Sequence, residues 1–278
     1  MVPLGSWCLH HVPVLDFADM TVEGSFPLGA AICVYFLIRD HHPLLALLAA
    51  GLLGGVAGIV TGLLHTKLRI PSLLAGILSM IALYSVNLRI MGKANVSLLG
   101  KETAFTYMET LGLDYAQSVF IVGLLATVVI GTLIYWFFGT EIGAAIRATG
   151  FNPQMIRAQG IDTNVMLLLG LFLSNALTAM AGAFIGMNNG FFDVGMGVGT
   201  IVIGLASVII GEVLFGTRSF KNSLVSVILG SIVYRFVIAI VLQMGMPPND
   251  LKLFTSVLVV IALALPMMRD KVQRRKVG

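Results

Sequence analysis

The segment EIGAAIRATGFNPQMIRAQGID, Glu141 to Asp162, lies between two long apolar runs. It carries two acids, two arginines, three glycines and an Asn-Pro pair. Helix rules give it internal order. Thr140 and Glu141 supply a hydroxyl cap and a first-turn acid, so a helix is expected to run to Thr149 and stop at Gly150. Asn152 is a good N-cap with Pro153 at the first helical position, and Gly160 fits the C′ position. The second helix is barely two turns, and helices that short are marginal in water. It must dock on something. The segment is either a loop with fortuitous caps or a surface built for a partner.

The rest of the chain decides what kind of protein carries this break. Its 278 residues are 58% hydrophobic and 11% charged, with mean hydropathy +0.97. A soluble domain is about 25% charged, so this excess of apolar residues points to a polytopic membrane protein. Runs near the 20 residues that span a bilayer occur at 44–64, 71–90, 118–138, 165–187, 199–215, 223–244 and 253–268. An eighth, 26–38, is short and reads as a half-helix or broken span. No run alternates like a barrel strand. The expected fold class is all-α: one transmembrane helical bundle over residues 1–278, with about eight segments, some broken or re-entrant.

The net charge of +4 does not imply nucleic acid, because the basic residues sit in short clusters between apolar runs. Arg147 with Arg157, Arg218 with Lys221, and the terminal RDKVQRRK fall on one side if each run from Ser118 onward crosses once. By the positive-inside rule that side is cytoplasmic. NNGFFDVGMG and GMPPNDL then face outward and carry no Lys or Arg. Counting backward puts His65–Arg69 inside but Arg89 and Lys93 outside. Either that half contains a re-entrant piece, or those residues serve the outer mouth. The polar stretch Ser97–Tyr115 is expected on the outer surface.

Several chemistries are excluded. Cys8 and Cys33 have no metal or disulfide spacing, and the five histidines show no HExxH. The first residues, MVPLGSWCLHHVPVL, have no basic n-region and contain two prolines, unlike a signal peptide. No GxxxxGK[ST] occurs; Gly92-Lys93 and Gly100-Lys101 are followed by Ala and Glu. Gly51, Gly54, Gly55, Gly58 and Gly62 give overlapping GxxxG spacings on one helix. Such a stripe lets backbones approach closely in lipid, within the chain or at a subunit seam.

GAAIRATGFNPQMIRAQGIDTNVMLLLGLFLSNALTAMAGAF resembles the coupling region of ABC importer permeases of the branched-chain amino-acid type. VLDFADMTVEGSFPLGAA and NNGFFDVGMGVGTIVIGLASVIIGE are similar to two further motifs of that branch, the latter to a sub-branch paired with lipoprotein binding proteins. The resemblance runs from Leu15 onward. It implies that Glu141–Ile161 forms coupling helices that dock on a cytoplasmic ATPase. Glu141, Gly143, Ala144, Ala145, Arg147, Gly150, Asn152, Pro153, Arg157 and Gly160 would make that surface. Arg147 and Arg157 are expected to pair with acids on the ATPase. Ala144, Ala145 and Gly150 loosely match the EAA…G importer signature, with Ile161 one place off. The resemblance also implies an extracytoplasmic binding protein, a second permease copy in a homodimer, and the bacterial inner membrane. ATP and magnesium would be bound by the partner ATPase, with no cofactor in this chain. Related permeases have a full helix before the first motif; about 15 unsuitable residues precede it here, so a first transmembrane helix is expected to be missing.

Candidate pathway residues follow from polar groups near broken spans. Asp16, Asp19, Thr21, Glu23 and Ser25 precede or open the short run, as a helix cap or beside the translocation path. Asn188, Asn189 and Asp193 meet the solute, meet a binding protein, or belong to an ordinary outer loop. The GxGxG there is no nucleotide fingerprint, because no strand–turn–helix unit surrounds it. Arg235 lies about 18 Å into its helix and needs a partner or a wet cavity. Glu212, about 12 Å away in depth, is not expected to pair with it. Asn87 and Asn175 are expected to be helix–helix hydrogen bonds. The function these features favour is an importer permease for an amino acid or similar small solute. The alternative is an ion-coupled secondary transporter, which predicts inverted repeats. A membrane enzyme would need a catalytic cluster, and the sequence has none.

Overall fold

Lipid offers the backbone no hydrogen-bond partners, so a chain this apolar closes its peptide groups within helices. The computed structural model describes residues 17, 19–98, 100, 101, 103–106, 112, 114–216, 219–245, 250, 253–257 and 260. Among them are nine α-helices, two short strands and one 3-10 turn. Six helical segments are long and apolar enough to cross a membrane, taking the 3-10 turn together with the helix after it. The polytopic helical class holds, with one addition: the two strands pair. Most of the expected span 253–268, and Asp16, lie outside the described residues.

The described residues form two compact units, one ending at Val198 and one beginning at Gly199. The first contains α1 (Val22–Ile38), α2 (Pro43–Thr66), α3 (Ser72–Met91), β1 (Asn95–Ser97) and α4 (Tyr115–Phe138). It continues with α5 (Glu141–Phe151), α6 (Pro153–Ala158), α7 (Thr163–Asn189), β2 (Phe191–Asp193) and the turn Val194–Gly197.

Helix α7 is the axis of this unit. The glycine stripe of α2 packs against it: a Cβ on Gly58 would strike the Leu171 carbonyl, and one on Gly54 would strike Ala179. Of the two uses open to that stripe, packing within the chain is the one realised. Helix α1 lies against another side of α7, where Gly29 meets the Ala179 backbone and Gly182 meets the Phe26 carbonyl. Close backbone contact supplies dispersion where lipid removes the hydrophobic drive between helices.

Helix α1 is longer than the expected 26–38, starting at Val22 and carrying Pro27 inside. A proline near the start of a helix cannot donate the bond to the carbonyl four residues back, here that of Glu23. The Gly197 backbone packs on that carbonyl and on the Pro27 ring. The helix still begins deep in the unit, because Ser25 in its first turn bonds Asn175 of α7. Asn175 stands about 18 Å along a helix about 40 Å long, so α1 starts near mid-depth.

The outer end is closed by the strand pair. Asn95, Val96 and Ser97 lie opposite Asp193, Phe192 and Phe191 in an antiparallel ladder. Since β2 follows the far end of α7 and pairs with β1, Arg89 and Lys93 lie at the opposite end of this unit from α5 and α6. Among the described residues of the segment after β1, two side chains pack inward. Leu98 and Phe105 are buried, and the Phe105 ring meets Phe184 of α7 edge-on at 5.2 Å. Apolar side chains anchor a segment whose composition reads as polar. Lys101 then reaches the end of α1, donating to the Ile38 carbonyl at 3.0 Å and to Asp40 at 2.7 Å.

The second unit is a helical hairpin of α8 (Thr200–Phe215) and α9 (Phe220–Gln243). The two cross where Gly230 packs on the Ser207 carbonyl and Gly211 on that of Ser226. The Ser226 hydroxyl closes the turn by donating to the Gly216 carbonyl at 2.7 Å.

Candidate functional site

The polar break folds as two helices at an elbow. Thr140 Oγ1 accepts from Gly143 N at 3.3 Å and caps α5. Gly143 also lets α5 turn back tightly, since a Cβ there would strike the backbone of Phe137 and Phe138. Helix α5 does not stop at Gly150 but runs to Phe151; a glycine is permissive and does not by itself end a helix. Asn152 ends it and caps α6, its Oδ1 accepting from Met155 N at 3.1 Å. Gly160, at φ 82°, closes α6. Its N–H bonds the Arg157 carbonyl and Ile161 N bonds that of Ile156, which is the Schellman pattern.

One face of the elbow is anchored and the other is free. Ile146 of α5 is 0% exposed and Ile156 of α6 is 2% exposed. Phe151 and Met155, on either side of the Asn152-Pro153 corner, are 52% and 46% exposed. Glu141, Ala144, Asn152, Pro153 and Gly160 are exposed around them, while Ala145 and Gly150 are half-buried. Three large apolar side chains are exposed on this polar segment, Ile142 at 50% and, flanking the corner, Phe151 and Met155. The residue list taken from the sequence omitted them, although a Phe and a Met flanking Asn-Pro-Gln were the available signal.

The two arginines each make a bond within the chain. Arg147 is half-buried and its guanidinium donates to the Phe138 carbonyl at 2.9 Å, at the end of α4. A cation there also meets the negative end of the α4 dipole. Arg147 thus seats α5 on the bundle through that bond. Arg157 is exposed but donates from Nε to Thr163 Oγ1 at 2.8 Å, tying α6 to the start of α7. Both are internal braces because a short docked helix needs them.

A second constellation sits at the deep start of α1. Asp19 Oδ1 accepts from Thr21 N at 3.0 Å, and Asp19 Oδ2 from Asn175 Nδ2 at 2.7 Å. Asn175 Nδ2 also donates to the Leu171 carbonyl at 3.0 Å, and its Oδ1 accepts from Ser25 Oγ at 2.6 Å. Beside this, Thr21 and Thr61 share a hydroxyl bond of 2.8 Å, and Thr61 bonds Ser79 Oγ at 2.7 Å. Polar side chains from α1, α2, α3 and α7 therefore meet at one depth. Thr21 and Ser25 are fully buried, which makes them bonds between helices. Asp19 and Glu23 remain half-exposed.

Asn188 and Asn189 lie at the end of α7 and Asp193 in β2. Asp193 is a local cap, accepting from Gly195 N at 2.7 Å and from Asn95 Nδ2 at 3.3 Å. The Asn188 carbonyl accepts from the Tyr115 hydroxyl at 2.6 Å, and Asn189 is exposed at the end of α7. In the second unit, Arg235 is exposed on α9 beside buried Tyr234. Asn87 donates to the Gly24 carbonyl at 3.2 Å, a helix–helix bond of α3 to α1.

A family model described as branched-chain amino acid transport system / permease component matches residues 14–264. The chain belongs to that permease family. It is similar to the tyrosine transport system permease protein of Clostridioides difficile (strain R20291), at 39% identity over 251 residues. That match covers 90% of this chain and 82% of the relative. An uncharacterized protein of Rickettsia prowazekii (strain Madrid E), RP368, is 31% identical over 92% of this chain and 90% of its own. The autoinducer 2 import system permease protein LsrC of Salmonella typhimurium is 27% identical over 70% of this chain and 55% of its own. No solved structure matches. The permease is a multi-pass subunit of an ATP-binding-cassette importer in the bacterial inner membrane, and such a subunit works with a separate ATPase and a binding protein.

Proposed function

We propose that two copies of the permease form the translocation pathway for an amino acid or a similar small solute, and that the α5–α6 elbow takes the force of the ATPase. The observation that carries this is the exposed pair Phe151 and Met155. Apolar side chains are stable on a lipid-facing helix, but these project from a segment placed in the cytoplasm by its arginines. There they fit a groove on another protein, as anchors ringed by polar neighbours. Their undersides, Ile146 and Ile156, are fixed in the bundle, so a push on the knobs reaches α7. The amino-acid class rests on the relative named for tyrosine transport. The chain itself performs no chemistry, and ATP with magnesium belongs to the partner.

Each knob is already about half covered, so docking gains roughly 1 kcal/mol apiece from the usual value for a buried apolar side chain. The double variant Phe151→Ser/Met155→Ser is expected to weaken capture of the cognate ATPase about 30-fold, measured by titrating ATPase onto permease in nanodiscs. Insertion and thermal stability should not change. Affinity within twofold of wild type would exclude the elbow as the docking surface. Uptake of labelled L-tyrosine into proteoliposomes, competed by each other amino acid in turn, tests the solute class.

A further inference from the structure

We propose that Asn175 is the positioning residue through which movement of the elbow reaches the deep start of α1. This rests on the elbow being the ATPase dock and adds the route from there into the membrane.

Asn175 is 0% exposed, and its amide is fully used. Both donor hydrogens are taken, by Asp19 Oδ2 and the Leu171 carbonyl, and its oxygen takes the Ser25 hydroxyl. That set fixes the amide orientation: the flipped form would point its oxygen at a carboxylate and a carbonyl. An asparagine inside a helix costs some propensity, and interior packing alone would accept leucine. What the amide adds is a charge-assisted bond between elements 156 positions apart in sequence.

Its neighbours give the bond a direction. Helix α7 begins at Thr163, where Arg157 of the elbow is bonded, and α5 packs along the same end. Rigid helix then runs about 18 Å to Asn175. On the other side, Asp19 caps the chain just before α1 through Thr21 N, so whatever moves Asn175 pulls on the first turn of α1. A cap serving only its own helix would stop at Thr21. This one continues into the helix that meets the elbow, and the half-exposed acid Glu23 lies in the same first turn of α1.

The test is hydrogen–deuterium exchange on the detergent-purified complex of the permease with its cognate ATPase, with and without ATP-magnesium under non-hydrolysing conditions. In the wild type, ATP is expected to change the exchange rates of the Thr21–Ser25 amides. In Asn175→Leu that response should fall at least tenfold, while ATPase protection of Phe151–Ile156 stays within twofold of wild type. Asp19→Ala breaks the same bond from its other end and should lower the response as far as Asn175→Leu does. A wild type with no response at Thr21–Ser25, or an undiminished response in either variant, would overturn the proposal. Loss of protection at Phe151–Ile156 in the wild type itself would instead overturn the docking surface.

Discussion

Gly29→Leu is expected to leave no monodisperse permease after detergent extraction, and Gly29→Ala to lower its melting temperature. Two effects oppose each other in the alanine variant. Alanine is the better helix former by about 1 kcal/mol, which favours the substitution. A Cβ at Gly29, however, would overlap the backbone of Ala179, and backbone cannot rotate aside as a side chain can. Overpacking costs about 1–3 kcal/mol even where neighbours are flexible, so sterics win. Leucine makes the same clash with three more carbons and must push α1 off α7, taking the Asp19–Asn175 and Ser25–Asn175 bonds with it. Gly123 of α4 is the control, because a Cβ there meets nothing within 4 Å. Gly123→Ala should keep or slightly raise the melting temperature. If Gly29→Ala behaves like Gly123→Ala, close contact between α1 and α7 does not hold the unit together.

Arg147→Glu is expected to abolish co-purification of the ATPase while the permease still inserts and extracts normally. The guanidinium donates to the Phe138 carbonyl at the C-terminal end of α4. A bond of that charged kind contributes about 1.5–3 kcal/mol. A carboxylate in its place faces carbonyl oxygens and the negative end of the helix dipole, adding up to about 2 kcal/mol of the opposite sign. An 11-residue helix has little stability of its own against that sum. Helix α5 should lift, and the Phe151–Met155 corner should lose its fixed position. Arg157→Glu is a milder change, because Arg157 is exposed and its bond is to a neutral hydroxyl. Equal effects from the two reversals would mean that both arginines act directly on the ATPase.

That contrast shows where sequence stops. Charge and capping placed Thr140, Asn152 and Gly160 well, because a cap is a contract between residues two or three apart. The partner of Arg147 lies nine residues back on another helix, and only the turn at Gly143 brings it there. The family resemblance implied that both arginines pair with acids on the ATPase, and nothing in the sequence pointed to their bonds with Phe138 and Thr163. Phe151 and Met155 were hidden for the opposite reason: apolar residues in an apolar chain attract no notice until burial shows which ones lack cover.

The sequence by itself determined the membrane class, the caps of the elbow's helices and the glycine stripe of α2. Each depends on composition or on spacings within one helix, and those survive without knowledge of what packs where. Tertiary structure alone decided that the stripe meets α7, that Leu98 and Phe105 anchor the outer segment, and that Asp19, Ser25 and Asn175 form one joint. Those contacts pair residues far apart in the chain, 156 positions for Asp19 with Asn175. In lipid every helix face is apolar, so hydropathy carries no record of which face finds which partner; only the fit of backbone to backbone does.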